Sequence, residues 1–279
     1  MSAPVLMGIV NATPDSFSDR QGPKPLDDLV VRARALVEQG ASIVDVGGES
    51  GRTDRPAVAV EEEIARVVGL IERLADEGVA VSVDTWRAPV ARAALGAGAS
   101  MVNDVSGLSD PEVADACAEF GARLVITHTR LPPKVKGYPG YDDVVADVAD
   151  LLRERAALAV ERGVGEEQLV FDPGIDLAKT PAESIEVLRR LPGLARLGPP
   201  LLLAVSRKDF VGALTERAPA ERDAGTLAAL GCAVDGGAAI LRVHDVAGAR
   251  DYLMVRAALR DGPAPRDLAL ADELRREAV

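Results

Sequence analysis

The sequence predicts an α/β protein built as one closed (β/α)8 barrel, the TIM-barrel arrangement. Three observations predict it. Eight short apolar runs alternate with amphipathic segments along the chain. The 279 residues contain no linker that would split them, and such barrels are the main single domains of that length. Hydrophobic residues make up 48% and aromatic residues only 3%. The core is therefore Val, Leu, Ile and Ala, the aliphatics that fill a parallel sheet buried on both faces. A doubly wound open sheet is the runner-up, but it normally needs fewer strands.

The first apolar run, 5–10, enters a polar loop holding Asn11, Thr13, Asp15, Ser16 and Asp19. A helical pattern over 26–39 then stops at Gly40. The second run, 43–46, precedes a helix over 58–77 that stops at Gly78. The third, 79–83, precedes 88–97 and Gly98, and the fourth, 100–103, precedes 111–120 and Gly121. Glycine just past a periodic segment is the left-handed stop signal. The fifth run, 123–127, leads into the longest irregular stretch, 130–140, rich in Pro, Lys and Gly. A long loop at that end of a barrel is expected to be functional. The last runs are 169–171, 201–205 and 238–243. Asp110-Pro111 and Thr180-Pro181 predict an N-cap followed by proline at the first helical position. The barrel is expected to span 1–262, with 263–279 a charged C-terminal tail.

The formal net charge of -12 argues against non-specific nucleic-acid binding and adhesion to anionic lipid. An anionic small molecule stays open, because screening over about 8–10 Å lets a local basic cluster decide. Cys117 and Cys232 lie in apolar helical patterns and are expected to be small buried hydrophobes. The N-terminal Met1-Ser-Ala-Pro4 has no targeting pattern and no apolar run is long enough to span a bilayer, so a cytoplasmic protein is expected.

Barrel enzymes build their sites from the loops after the strands, and here those positions are crowded. In chain order they hold Asn11, Gly47-Gly48-Glu49-Ser50-Gly51-Arg52, Asp84-Thr85-Trp86, Asn103-Asp104 and Thr127-His128-Thr129. Asp172-Pro173-Gly174, Ser206-Arg207-Lys208 and Arg242-Val243-His244-Asp245 complete the set. Taken singly, each has a bland reading: Asp84 as a helix cap, Lys208 as a surface lysine, His244 as a structural histidine. Taken together they converge on one mouth, which is a ligand site. Asp84, Asn103 and Asp172 supply acceptors and an amide for a heterocycle edge, and a carboxylate accepts two parallel N–H bonds from an aminopyrimidinone. Lys208 would donate to its carbonyl. Asn11, Arg52, Arg242 and His244 supply anion recognition, arginine's fork matching phosphate. No dinucleotide fingerprint, P-loop or zinc-ligand cluster is present. Mg²⁺ shared with a diphosphate is compatible.

The motifs Asn11-Ala-Thr-Pro-Asp-Ser-Phe-Ser-Asp19, Asp45-Val-Gly-Gly-Glu-Ser50, Ser82-Val-Asp-Thr85, Asn103-Asp-Val-Ser-Gly107, Asp172-Pro-Gly174, Ser206-Arg-Lys208 and Arg242-Val-His-Asp-Val246 run through the chain. From Val5 to about Leu259 it resembles the dihydropteroate synthases. The resemblance implies condensation of 6-hydroxymethyl-7,8-dihydropterin diphosphate with 4-aminobenzoate in folate biosynthesis, releasing diphosphate. By matching motif, Asp84, Asn103, Asp172 and Lys208 would hold the pterin. Asn11, Arg242 and His244 would hold the diphosphate, with Mg²⁺ on Asn11, and Arg52 would be the second-loop arginine. Asp84, Asp172, Lys208, Arg242 and His244 would carry the catalysis. A homodimer is implied on the same ground. A methyltetrahydrofolate-type corrinoid methyltransferase, a related barrel, fits Ser206-Arg-Lys208 and Arg242-Val-His244 less well.

The departures from the family gather around the second substrate. The family's Glu-Ser-Thr-Arg-Pro is here Glu49-Ser50-Gly51-Arg52-Thr53. The glycine- and phenylalanine-rich run after Asp-Pro-Gly is here Ile175-Asp176-Leu177-Ala178-Lys179, and Met-His-Met is Thr127-His128-Thr129. A serine that lies near the aminobenzoate carboxylate in the family is here Asp209. Two carboxylates 4 Å apart repel by about 1–4 kcal/mol, depending on the effective dielectric. The pattern resembles the divergent second synthase paralogue of some actinobacteria. That implies a pterin-diphosphate-binding protein with little 4-aminobenzoate activity, serving a binding or regulatory role or another acceptor.

Overall fold

Eight parallel strands pair in sequence order and close on themselves. The computed structural model describes residues 3–13, 26–50, 57–260, 269–271 and 274–275. The strands are β1 Val5–Asn11, β2 Ile43–Gly47, β3 Val81–Asp84, β4 Met101–Asp104, β5 Arg123–Thr127, β6 Leu169–Asp172, β7 Leu201–Leu203 and β8 Ala238–Val243. The helices are α1 Leu26–Glu38, α2 Val60–Asp76, α3 Ala88–Gly96, α4 Glu112–Phe120, α5 Val144–Glu161, α6 Pro181–Arg189, α7 Leu191–Leu194, α8 Asp209–Thr215, α9 Asp223–Asp235 and α10 Val246–Arg260. The expected barrel is therefore present. Its sixth and seventh units each carry two helices.

The strand side chains alternate between two cores. Outward residues such as Val44, Val46, Val81, Val83, Leu124 and Ile126 pack with Leu70, Ile71, Leu74 and Ala91 of the surrounding helices. Inward residues Met7, Met101, Val125, Val170, Leu202 and Ile240 form a separate apolar floor, with Ile43 packed against it. A strand returns to the same face every second residue. Two positions beyond the floor residues lie Asp45, Asn103, Thr127, Asp172 and Arg242, so these face the barrel's mouth.

The predicted stop glycines Gly40, Gly78, Gly98 and Gly121 all have positive φ. At Gly98 a Cβ would also lie 2.6 Å from the Ala75 side chain, so glycine is needed twice over. Thr180 caps α6 as expected: its hydroxyl accepts from Glu183 N–H at 3.2 Å, and the Glu183 carboxylate accepts from Thr180 N–H at 2.7 Å.

Other expectations need correcting. The seventh strand stops at Leu203, short of residue 205, with a register shift at Leu201/Leu202. Pro111 is the N-cap of α4 and not its first helical residue. Asp110 still accepts from Glu112 N–H at 3.1 Å, and from Ala88 N–H at 3.2 Å. Cys117 is buried, but Cys232 is exposed, because α9 turns it away from the barrel wall. Most of the expected tail, 263–279, lies outside the described residues. No described helix is long and apolar enough to cross a membrane.

Candidate active site

Strand register assembles the mouth. Asn11 lies opposite Gly47, Gly47 opposite Asp84, and Asp84 opposite Asn103. Thr127 lies opposite Asp172, and Met7 opposite Arg242. Asn11, Asp84, Asn103, Asp172 and Arg242 thus share one rim, as the sequence predicts. Lys208, the N-cap of α8, and His244, just past β8, join it. Arg52 and the loop residues Asp15, Ser16 and Asp19 lie outside the described residues.

The acidic and basic halves expected from the sequence are not separate. Arg242 Nε donates to Asp45 Oδ2 at 2.6 Å, and its Nη2 to Asp84 Oδ2 at 2.7 Å. Asn103 Nδ2 donates to the same Asp45 oxygen at 3.1 Å. Asp45 is fully buried, while Arg242 and Asp84 side chains are each 18% exposed. Arg242 is thus a clamp between two carboxylates before any anion arrives. Asp45 is a site residue that sequence reasoning missed. The available signals were its place two residues after the inward Ile43 and at the head of the Asp45-Val-Gly-Gly-Glu-Ser50 motif.

Burial sets the titration of these groups. It pushes Asp84 up to about 7, against the pull of the Arg242 cation and with the help of Asp45 and Glu63. Burial also raises Asp172, which Gly174 N–H, Lys208 and Lys179 pull back down. The Gly174 N–H donates to Asp172 Oδ1 at 2.7 Å. Burial works against the Arg242 cation too, yet Asp45 and Asp84 hold it above its ordinary value. His244 reaches solvent, but partial burial and then the cations Arg242, Arg207 and Lys208 bring its imidazole down to about 4. Its Nδ1 lies 2.9 Å from Ser206 Oγ, which fixes the ring.

Four buried oxygens on this rim have no partner among the described residues: Asp45 Oδ1, Ser82 Oγ, Asn103 Oδ1 and Thr127 Oγ1. Buried polar atoms are nearly always hydrogen-bonded. A cluster of unsatisfied oxygens therefore suits a flat ligand edge with several N–H groups.

Two networks brace the rim. Glu49 pairs with Arg87 at 2.7 Å and Lys134 at 3.2 Å, and Lys134 donates to Ser50 O at 2.8 Å. Glu63 takes Arg87 at 2.6 Å and the Thr85 hydroxyl at 2.8 Å, and the Arg87 guanidinium lies 5.3 Å from the centre of the Trp86 ring. On the other side, His128 Nε2 lies 2.7 Å from Asp147 and its Nδ1 2.7 Å from the buried Lys179 Nζ.

Beyond Gly174, the loop after β6 holds two further residues, neither of them glycine, in a glycine-type backbone. Asp176 and Ala178 have φ of 63° and 52°, a region costing an alanine about 1–2 kcal/mol. The Asp176 carboxylate accepts from Asp209 N–H and, at 3.4 Å, from Phe210 N–H. The Asp209 side chain is 70% exposed and pairs with Arg222 at 3.0 Å. Its charge is partly offset, contrary to the simple repulsion expected from the sequence.

The family profile described as "Pterin binding enzyme" matches residues 7–244. The chain is 41% identical over 261 residues to a dihydropteroate synthase of Bacillus subtilis, covering 92% of this chain and 90% of the relative. The structure of Xanthomonas albilineans dihydropteroate synthase with 4-aminobenzoic acid has a TM-score of 0.87 at 43% identity, covering 94% of each chain. That enzyme in complex with 7,8-dihydropteroate gives 0.85 at 42%, covering 94% of this chain and 95% of that one.

Proposed function

The chain belongs to the pterin-binding enzymes known as dihydropteroate synthases, and from that premise we propose how its own residues carry the family's reaction. It is a transferase that condenses 6-hydroxymethyl-7,8-dihydropterin diphosphate with 4-aminobenzoate, a step of folate biosynthesis. The observation that carries this reading is the single rim of buried acceptors at Asp45, Asn103 and Thr127 beside Asp84, Asp172, Lys208 and Arg242.

In the reaction the bond from the methylene carbon to the diphosphate oxygen breaks, and the arylamine nitrogen bonds to that carbon. One proton leaves the amine and the diphosphate departs. The ring spreads the developing positive charge, and Asp172, with Asp84 in its ionised form, stabilises it from a fixed position. Asn103 and Asp172 accept from the ring's N–H groups, and Lys208 donates to its carbonyl. Asp45 and Asp84 hold Arg242 by Nε and Nη2, which leaves Nη1 as the edge for the leaving anion. Burial and the neighbouring cations lower His244 to about 4, so in the unliganded mouth it is a neutral hydrogen-bonding group. Arg52 would add a guanidinium from the second loop.

Mg²⁺ fits the donor set in one way. Among the described residues no group of three His, Cys, Asp or Glu could hold a metal. Asn11 offers a hard carboxamide oxygen at the rim, and Mg²⁺ is commonly held by one or two protein oxygens plus substrate phosphates. When bound it would neutralise charge on the diphosphate. The reading extends to a cytoplasmic homodimer: a diphosphate ester does not cross a bilayer unaided, and a second copy would cover the exposed Met254, Val255 and Leu259 of α10. Light scattering on the purified protein tests the dimer.

One observation favours a second reading, weak use of 4-aminobenzoate. The resemblance puts the aminobenzoate carboxylate near residue 209. Here the Asp209 and Phe210 amides already serve Asp176. A substrate carboxylate would have to displace it or meet it. The deciding assay supplies pterin diphosphate, Mg²⁺ and 4-aminobenzoate and quantifies dihydropteroate. Dihydropteroate at a high KM for 4-aminobenzoate fits both statements. Diphosphate release without dihydropteroate leaves only the second.

A further inference from the structure

Lys179 touches neither half of the rim, yet it is the most thoroughly buried cation of the described chain, at 1% exposure. Its Nζ donates to Gly174 O at 2.9 Å, Leu177 O at 3.1 Å and His128 O at 3.3 Å. The fourth neighbour is His128 Nδ1 at 2.7 Å. On the far side of the ring, Nε2 meets Asp147 Oδ1 at 2.7 Å, and Arg130 grips Asp147 with two bonds of 2.9 Å. A carboxylate accepts only, so Nε2 carries the proton and Nδ1 is an acceptor. Every neighbour of Nζ is then an acceptor, which favours the ammonium against the burial that lowers Lys179 to about 7.

We propose that Lys179 is the positioning residue for Asp172: a buried ammonium that ties the end of β5 to the loop after β6 and so aims the Asp172 carboxylate into the mouth. The statement rests on the synthase reading of that mouth. The backbone geometry supports it directly. His128 N–H donates to Asp172 O at 2.8 Å, and Gly174 N–H holds the Asp172 carboxylate. Gly174 has φ of 68°, and a Cβ there would sit 2.0 Å from His128 O and 3.3 Å from Lys179 Nζ. The chain is thus folded tightly around the ammonium, with Asp172 at the edge of the fold. Lys179 also acts by charge, pulling the burial-raised Asp172 back down together with Lys208 and Arg242. The charged groups facing Lys179 itself are Asp172, Lys208, Asp147 and Glu183. Burial first and the Lys179 cation second keep the neighbouring imidazole neutral, bringing it to about 4 against the pull of Asp147.

The test uses the whole protein as Lys179→Met, Lys179→Ala and Asp147→Asn. With K179M, kcat/KM for pterin diphosphate should fall at least tenfold, mostly through KM, and its acid limb should move to higher pH. Adding n-propylammonium to K179A should restore part of the rate and move the limb back. A merely structural lysine would shift neither. A folded K179M with wild-type kcat/KM and an unmoved acid limb overturns the proposal. If K179M does not fold, D147N decides, because it frees the imidazole to change tautomer. A severalfold rise in KM supports the proposal, and an unchanged KM overturns it. Should the wild type make no dihydropteroate, the functional reading fails by itself, and calorimetric affinity for the pterin replaces KM in each comparison.

Discussion

Replacing Asp45 by asparagine perturbs the clamp at its hidden end, with almost no change of shape. Asp45 Oδ2 receives Arg242 at 2.6 Å and Asn103 at 3.1 Å. An asparagine that keeps its oxygen there still accepts both. The bond to Arg242 drops from the charged class, about 1.5–3 kcal/mol, towards the neutral class, about 0.5–1.5 kcal/mol. Arg242 also loses one of two buried counter-charges. Losing the whole partner of a buried pair costs about 3–5 kcal/mol, and Asp84 still covers part of that. The sum is about 2–4 kcal/mol. For a barrel of this size that lowers Tm by about 5–15 °C. The pH response carries the opposite sign. The Asp45 charge is one of the groups raising Asp84 to about 7, so D45N should move the acid limb of kcat/KM to lower pH. A new amide N–H also faces the ligand edge where Oδ1 stood unpartnered, and kcat/KM for pterin diphosphate should fall about 10- to 100-fold. The assays are thermal unfolding by circular dichroism and a pH series of initial rates. Wild-type Tm together with an unmoved acid limb would refute the clamp.

Asp176→Gly should lower KM for 4-aminobenzoate by uncovering the Asp209 and Phe210 amides, while Asp209→Ser changes it less because Arg222 already offsets that charge; steady-state kinetics in which D209S has the larger effect would reverse the assignment. Ala178→Gly should stabilise by about 1 kcal/mol, since φ of 52° suits glycine; urea unfolding with an unchanged midpoint would show that the loop relaxes some other way. Both histidines, His128 and His244, should stay neutral down to about pH 4. Their folded values lie below the unfolded 6.5, so the stability they confer is lost as pH falls from about 6.5 towards 4; proton NMR finding either imidazole titrating near 6.5 would contradict this.

The barrel was legible because its signals are local. Apolar runs, glycine stops such as Gly98 and caps such as Thr180 act within a few residues, and the structure realises them. The rim residues were legible for a related reason: each is the polar end of an apolar strand. What stayed hidden is pairing across the chain. Arg242 lies 197 residues from Asp45 and 158 from Asp84, so nothing local turns an anion-binding arginine into a clamp. Asp45 sits inside an apolar run, where the clues were period two and its place at the head of the Asp45-Val-Gly-Gly-Glu-Ser50 motif. Lys179 and His128 are 51 residues apart, and in sequence the lysine is one more loop cation. Asp209 was read as a bare charge because its partner, Arg222, belongs to a later loop.

The chain contains one tryptophan. Trp86 lies two residues after Asp84, under the Arg87 guanidinium, and is linked through Arg87 to Glu49 of the second loop and Glu63 of α2. Its indole is therefore a built-in optical probe of the barrel's mouth. Selective excitation of this one tryptophan should report on occupancy of the cavity, with no dye, tag or coupled enzyme.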